Sequence, residues 1–569
     1  MTRVILLLLL LPIHVFGQFT NELIIPPTLE GTDFELTIAA STRQYYDGTA
    51  TETIGFNGDF LGPTLIFNQG DDLNIEVHNE LNESTTVHWH GMHVSPEDDG
   101  GPHTIIDPGT TWNPTFTVLD RATTFWYHPH LHERTNFHVT KGAAGMIIIK
   151  SEAEAALDLP RTYGVDDFPL IIQGKEFDDD NQLVVMGSDD NLIMVNGTLD
   201  PYLEVPAQIV RFRVLNGSNE RVLNLGFEDD REFQQIGSDG GLLSSPVTTN
   251  RLRLASGERA EIVVDFSGDT NVVPRMVTYA SELGQGIPGS GGGPGPGSPA
   301  GSELDGEDHT FMEFRVSSAT ANPITEISTQ LATHDIWDES EANNTRTISM
   351  DGGGMGNPFT LNDDLFDENN FSETVYLDDI EIWTITNSTN IAHPFHIHDV
   401  QFYILDKDGQ APPANEQGLK DVVLVEGGQT IRFITKFEDF ADPEVPYMYH
   451  CHILPHEDGG MMGQFIVVEN EGEETILAIQ ALRSQYRVYP NPVDDQIIRV
   501  LLPDQLSPTD QVDFTVYDLA GKEVSFFAST FCGPDNLKIL YLEDYKPGIY
   551  HISIRLNGEY ADQLKLVMK

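Results

Sequence analysis

A strand that closes on asparagine occurs three times along the chain, as "LNIEVHN" ending at Asn79, "VRFRVLN" at Asn216 and "IEIWTITN" at Asn387. The intervals of 137 and 171 residues are each long enough for one β-sandwich. The longer one carries an insertion, "GQGIPGSGGGPGPGSPAGSELDG", a low-complexity loop from Gly284 to Gly306. Between these landmarks, runs such as "TLIF", "TTFWYH" and "GMIIIK" alternate or stay apolar between Gly, Pro, Asn and Asp, and long helical periodicity is scarce. An all-β chain with three similar domains in tandem is expected. Its 569 residues exceed a single ordinary domain, and 39% hydrophobic residues supply several cores.

The two ends read differently. "MTRVILLLLLLPIHVFGQ" sets Arg3 before an apolar run from Val4 to Leu11, too short to span a bilayer and built like a secretory signal cut after Gly17. No cysteine follows the cut, which excludes a lipoprotein anchor, and no later segment reads as a membrane span. At the other end "EGEETILAIQALRSQ" reads as a connector, and "YRVYPNPVDD" opens a new set of strands. The expected divisions are a signal peptide at 1–17, β-domains at 18–152, 153–320 (containing the glycine-rich loop 284–306) and 321–470, a linker at 471–486, and a C-terminal domain at 487–569.

With 31 Lys+Arg against 89 Asp+Glu, the net charge of −58 repels phosphate backbones and argues against nucleic acid as a partner. It is read as a solubility surface rather than a device for collecting cations. Export permits disulfides, yet Cys451 and Cys532 are the only cysteines, and both are expected to be unpaired.

Cys451 sits in "YMYHCHILPHEDGGMM", between two histidines. Three further His-X-His pairs occur: His88/His90 in "VHWHG", His128/His130 in "WYHPH" and His396/His398 in "HPFHIH", beside His450/His452 in "HCH". Residues two apart on a strand share a face and stand roughly 6.5–7 Å apart. That is wide for chelating one small ion and suits two imidazoles feeding neighbouring ions. Eight such imidazoles could serve three ions. Alternation turns Cys451 to the opposite face from His450 and His452, where His393, His456 and Met461 would complete a trigonal His₂Cys site with a weak thioether, a set that copper favours. Zinc also takes histidine and cysteine, but in closed sets of four or sets of three plus water, not a dozen so grouped. A single His-X-His pair would be read as ordinary surface or core histidine; four pairs are not.

These motifs, in this order, resemble the multicopper oxidases over about Gln18 to Glu469, and "YGVDDFPLIIQ", Tyr163 to Gln173, looks like the bacterial three-domain members. The resemblance implies three Greek-key cupredoxin domains and four copper ions. It assigns type 1 copper to His393, Cys451, His456 and Met461, and type 2 copper to His88 and His396. The type 3 pair would take His90, His128, His130, His398, His450 and His452. The ligands then come from the first and third repeats, with the middle repeat as a spacer and one wall. The tail, through "YPNP" (Tyr489 to Pro492), "VYDLAGKEV" (Val516 to Val524) and "YKPGIYHISI" (Tyr545 to Ile554), resembles the sorting domain of type IX secretion cargo, a small β-sandwich commonly removed after translocation; an ordinary accessory sandwich is the alternative. The expected location is the exterior or cell surface, reached through the periplasm.

The implied reaction couples four one-electron oxidations of a donor to the four-electron reduction of O₂ to water, with Cys451 wiring the two centres through its strand. Asp99 in "PEDDGGPH" and Glu457 in "HEDGG" match carboxylates near the cluster of the bacterial enzymes and are candidate proton relays. His93, His103, His132 and His138 match no ligand. Cuprous oxidases of the family carry a methionine-rich insert and an acidic residue four positions before the first histidine of "HPFHIH"; here that position is Thr389, the insert is glycine-rich, and "SMDGGGMG" offers just Met350 and Met355. A laccase-like enzyme for phenols is therefore expected. A metallo-oxidase for Cu(I) or Fe(II) is the alternative, and a non-catalytic exported copper binder is the remote one. The expected partners are O₂, a small reductant and the secretion machinery, without membrane insertion, and the expected state is a monomer.

Overall fold

The computed structural model describes residues 19–185, 190–291, 302–354 and 357–469, with the strand-bearing parts of 487–568. The expected signal peptide at 1–17, the linker 471–486, Cys532, Met355 and the centre of the glycine-rich loop lie outside the described residues. The chain is all-β with a few short helices, as the strand punctuation implied, and it divides into two units at Val468.

In the first sandwich the sheet Thr28–Glu30, Thr64–Asn68, Gly145–Lys150, Thr123–His128, His88–His90 shares a core with the sheet Thr51–Phe56, Asp33–Arg43, Asp72–Asn79, Thr111–Trp112. Leu73, Ile75 and Val77 are buried while the residues between them are exposed, so Asp72–Asn79 has one face in the core and one in solvent. Each such side chain contributes about 1.5–3 kcal/mol by leaving water. The third sandwich repeats this plan: Phe359–Leu361, Asn344–Gly352, Ile380–Asn387, Thr430–Lys436, Phe402–Lys407 pack on Glu373–Tyr376, Met462–Val468, Asp442–Cys451, His393–Ile397, Val422–Val425. The middle sandwich has sheets of seven and six strands. The strand Asn21–Glu22 joins the middle sandwich, parallel to Pro201–Pro206, although it precedes the first.

The recurrent asparagine has one structural job, done three times. Asn79, Asn216 and Asn387 are all buried. Each side-chain oxygen accepts the N–H two residues on: Leu81 at 2.9 Å, Ser218 at 3.0 Å and Thr389 at 2.9 Å. Each side-chain amide donates to a carbonyl a few residues later (Glu83, Arg221, Ile391) and to a remote one (Ile106, Leu254, Val425). This Asx turn bends the chain at the strand end and ties it to a remote main-chain carbonyl in each sandwich. Nine residues beyond each asparagine come His88, Leu225 and His396. The middle repeat thus puts an apolar core residue where its neighbours put a histidine.

The second unit contains a three-stranded sheet (Arg487–Tyr489, Ile497–Leu501, Leu537–Tyr541) and a four-stranded one (Glu523–Phe531, Gln511–Asp518, Gly548–Leu556, Glu559–Met568). Its core includes Ile498, Val500, Phe514, Val516, Ile552 and Ile554. Among the described residues no helix is long and apolar enough to cross a membrane.

Candidate metal centres

Cys451 ends the strand Asp442–Cys451, whose antiparallel neighbour His393–Ile397 sets Phe395 opposite Cys451 and His396 opposite His450. The thiol, free and buried, lies 3.5 Å from His393 Nδ1 and 3.7 Å from His456 Nδ1, and accepts the Ile453 N–H at 3.5 Å. Two main-chain bonds close the loop beyond it: Cys451 N–H donates to Met461 O at 3.1 Å, and Met461 N–H to His456 O at 2.9 Å. Met461 is buried in the same apolar cluster as Cys451, and Phe359 packs its ring on both His393 and His456. His456 is the one partly exposed member of the set. Burial holds the Cys451 thiol well above its usual range and pushes His456 down to about 4. Burial thus keeps the imidazoles neutral and the thiol protonated until a metal cation displaces its proton.

On the other face of the strand the eight paired histidines converge between the first and third sandwiches, all fully buried. Their ligand atoms fall into His90/His128/His452 and His130/His398/His450, with His88, His396 and His398 forming a third set. Each His-X-His pair contributes to more than one set, and the paired rings lie 5.7, 6.0, 5.0 and 5.5 Å apart. One expectation is corrected here: only His88–His90 is wholly strand. His130, His398 and His452 each lie past the end of the strand that carries their partner, because the chain must bend to bring the second ring round.

The fit to metal rests on where the nitrogens point. His88 Nδ1 meets Asp99 O at 3.0 Å, His396 Nδ1 meets Asp421 O at 2.9 Å, His128 Nδ1 meets Pro129 O at 2.9 Å and His450 Nδ1 meets Cys451 O at 3.1 Å. Each such bond leaves Nε2 as a lone pair facing inward. Nε2 of His130 and of His450 stand 3.0 Å apart, while Nε2 of His88, His396 and His452 have no hydrogen-bond partner. Burial first, and crowding by other imidazoles second, hold His90, His128, His130, His396 and His450 well below the usual histidine range. Burial likewise sets His398 at about 4 and His452 at about 3. Neutral rings with unpaired inward lone pairs would cost about 1–3 kcal/mol each if nothing met them. Cations are what they fit.

Asp99 is buried and bridges the two repeats: its carboxylate accepts from His398 Nδ1 at 2.8 Å while its carbonyl serves His88. Burial would raise its carboxyl, but His398 and His88 outweigh that and hold it below the carboxylate range. Glu457 brings its oxygens within 3.5 Å of His130 Nδ1 and 3.3 Å of His450 Nδ1, and burial pushes it well above the usual range. Both candidate relays thus lie against the cluster. His93 instead bonds Asp399 and Asp439, His103 bonds Gln464, His132 packs on Phe366 and His138 approaches Glu83, none of them in a ligand set. Met350 is a core residue.

The supporting roles of three residues escaped the sequence reading, which named Thr389 only as a departure from the cuprous-oxidase pattern. Thr389 Oγ1 lies 3.0 Å from His393 Nε2. Trp126 stacks on His128 with ring centroids 4.1 Å apart. Asp421 Oδ1 lies 3.2 Å from His90 Nε2. Asp421 is one of 89 acidic residues and has no motif of its own, so no local signal could have singled it out.

Residues 37–154 and 339–471 each match a family model described as multicopper oxidase, and residues 487–569 match one described as a secretion system C-terminal sorting domain. The multicopper oxidase mco of Staphylococcus haemolyticus is 33% identical over 473 residues, covering 79% of this chain and 93% of that protein. The cell division protein FtsP of Photorhabdus laumondii is 31% identical over 456 residues, covering 78% and 92%. Among solved structures, the laccase-like multi-copper oxidase CueO from Ochrobactrum sp. is similar with a TM-score of 0.71 at 31% identity, covering 78% of this chain and 100% of that one.

Proposed function

The chain belongs to the multicopper oxidases, a family of copper-dependent oxidoreductases, and from that premise we propose that it is laccase-like, taking electrons singly from small phenol-type donors. His393, Cys451, His456 and Met461 would hold type 1 copper, and His88 with His396 type 2 copper. The triads His90/His128/His452 and His130/His398/His450 would hold the type 3 pair. Copper bound there supplies one-electron exchange with the donor and the four-electron reduction of O₂ to water.

The observation that carries the donor reading is a cavity of about 780 Å³ whose wall includes His456 and Ile453. His456 is thereby the ligand nearest a docked donor. Lys175 stands in the same wall, fully buried, its Nζ 3.2 Å from Thr140 O and 3.4 Å from Val139 O and Asn219 Oδ1. Burial pulls this amine down to about 7. Its three acceptors are neutral oxygens and Asp190, the anion that acts on it, is paired with Arg221, so a phenolate oxygen entering the cavity would favour its charged form. The CueO of Ochrobactrum sp. has oxidase activity towards lignin model compounds, and that resemblance supports the same reading.

A second reading, oxidation of Cu(I) or Fe(II), is favoured by the carboxylates Glu176, Asp190, Glu220 and Asp305 in the cavity wall. It stands second because Arg221 ties up Asp190 and Asp305. Asp99 and Glu457, buried against histidines of the cluster, are assigned to proton delivery for oxygen reduction. Residues 1–17 are assigned to export, and the C-terminal sorting domain marks the chain for type IX secretion. An oxygen electrode decides between the readings. Uptake with phenols exceeding that with Cu(I) or Fe(II) is the expected result; turnover of the metal ions with no phenol oxidation would replace the first reading by the second.

A further inference from the structure

The middle repeat supplies none of the twelve ligands, yet one of its side chains touches all three sandwiches. Arg259 begins the strand Arg259–Asp265 and is completely buried. Its five N–H groups all find acceptors. Nε donates to Thr124 O (3.2 Å) in the first sandwich, Nη1 to Gly257 O (3.1 Å) and Nη2 to Asp239 O (3.2 Å) in the middle one, and the fork closes on both oxygens of Asp421 in the third. This exhausts the guanidinium and holds it in one orientation.

Three of those four partners, Asp421, Thr124 and Gly257, lead to the same triad. Asp421 Oδ1, 2.6 Å from Arg259 Nη1, is also the atom 3.2 Å from His90 Nε2. With Nε2 so engaged, His90 turns Nδ1 toward His128 Nε2, 3.4 Å away. Asp421 lies close enough to His90 and His396 to be counted as a metal ligand itself. The bidentate guanidinium commits both of its oxygens and makes it a hydrogen-bond acceptor for His90 instead. Thr124 belongs to the strand Thr123–His128, which ends on the second histidine of the triad. The third, His452, lies under Gly257: a Cβ there would come within 3.0 Å of three of its ring atoms, and the Gly257 φ of +84° is one that other residues rarely adopt. Gly91, immediately after His90, is required for the same packing, since a Cβ there would meet Asp421 Oδ2 at 2.5 Å and Arg259 Nη2 at 2.8 Å.

We propose that Arg259, through Asp421 and the turn at Gly257, is the positioning residue for the His90–His128–His452 copper site, so that the middle repeat sets the geometry of a centre to which it gives no ligand. The proposal rests on the reading of those histidines as one of the type 3 sites. Its reach is local: none of the Arg259 contacts involves His393, Cys451 or His456.

The test compares the full chain with Arg259→Lys, which keeps the charge and loses the fork, and Gly257→Ala, which alters no charge and crowds the ring from the other side. Each is measured for copper per chain, for blue absorbance from the Cys451 centre, for oxygen uptake, and for melting of the metal-free protein. The expected result is undiminished blue absorbance with at least one copper lost per chain and oxygen uptake down about tenfold or more in both variants. The KM for the donor should not move. The proposal is overturned if both variants keep full copper and uptake within about twofold. It is equally overturned if blue absorbance and cluster copper fall together with the melting temperature, which would make Arg259 a fold residue alone. Wild-type protein that binds copper only at the Cys451 centre would overturn the underlying reading of the histidines instead.

Discussion

The hydroxyl oxygen of Thr389 lies 3.0 Å from Nε2 of His393, on the side of the ring turned away from Cys451. The same hydroxyl donates to Asn387 Oδ1 at 2.8 Å, the asparagine that ends the strand Ile380–Asn387 of the third repeat. A fold-level turn and the orientation of the proposed ligand His393 therefore share one atom. Thr389→Val keeps the shape and removes the acceptor, leaving the buried His393 N–H unpaired. The expected cost is about 1–3 kcal/mol in urea denaturation of the metal-free protein. In the loaded protein the blue band should shift, because the ring is no longer pinned.

Cys451→Ser tests the assignment of the two centres. Blue absorbance should vanish and donor-dependent oxygen uptake should fall about a thousandfold or more, equivalent to about 4 kcal/mol. Copper should drop by one per chain, since no paired histidine contacts the sulfur through its ring. Retained colour would refute the assignment.

Lys175→Met tests the donor cavity. Removing the ammonium should raise KM for phenolic donors about tenfold, near 1.4 kcal/mol, with little change in kcat. KM for Fe(II) should not rise. Because burial sets this amine at about 7, its charge is present below that pH and lost above it. Wild-type KM for phenols should accordingly climb as pH passes through 7, and the Met variant should show no such climb.

His93 offers a pH test remote from donor binding. Burial would lower it, but Asp399, with Asp120 and Asp439, outweighs this and raises it to about 10. Asp399 accepts from Nδ1 at 2.7 Å, Asp439 from Nε2 at 3.2 Å, and Asp120 from the His93 main chain at 3.1 Å, so the ring clamps the first repeat to the third. A folded-state value above the unfolded 6.5 means stabilisation that is complete below 6.5 and lost as pH rises toward 10. Asp439 is 59% exposed, which limits the loss to about 1–3 kcal/mol. His93→Gln should flatten the denaturation profile over that range.

Local chemistry in the sequence was enough for the architecture and for the gathering of the paired histidines and Cys451 into clusters. Asparagine at the end of an alternating strand has one economical use, the Asx turn, so Asn79, Asn216 and Asn387 announced three sandwiches before any contact was known. His-X-His spacing and the lone Cys451 spoke for themselves in the same way, because strand alternation fixes which side chains can share a face. The partition of eight histidines into triads was a tertiary outcome, since His130, His398 and His452 leave their strands and meet across two sandwiches. So were the supports. His90 and Asp421 are 331 residues apart, and Arg259 and Asp421 162. An arginine, an aspartate and a glycine carry no periodic or spacing signal, and their roles arise solely from where three independent cores press them together.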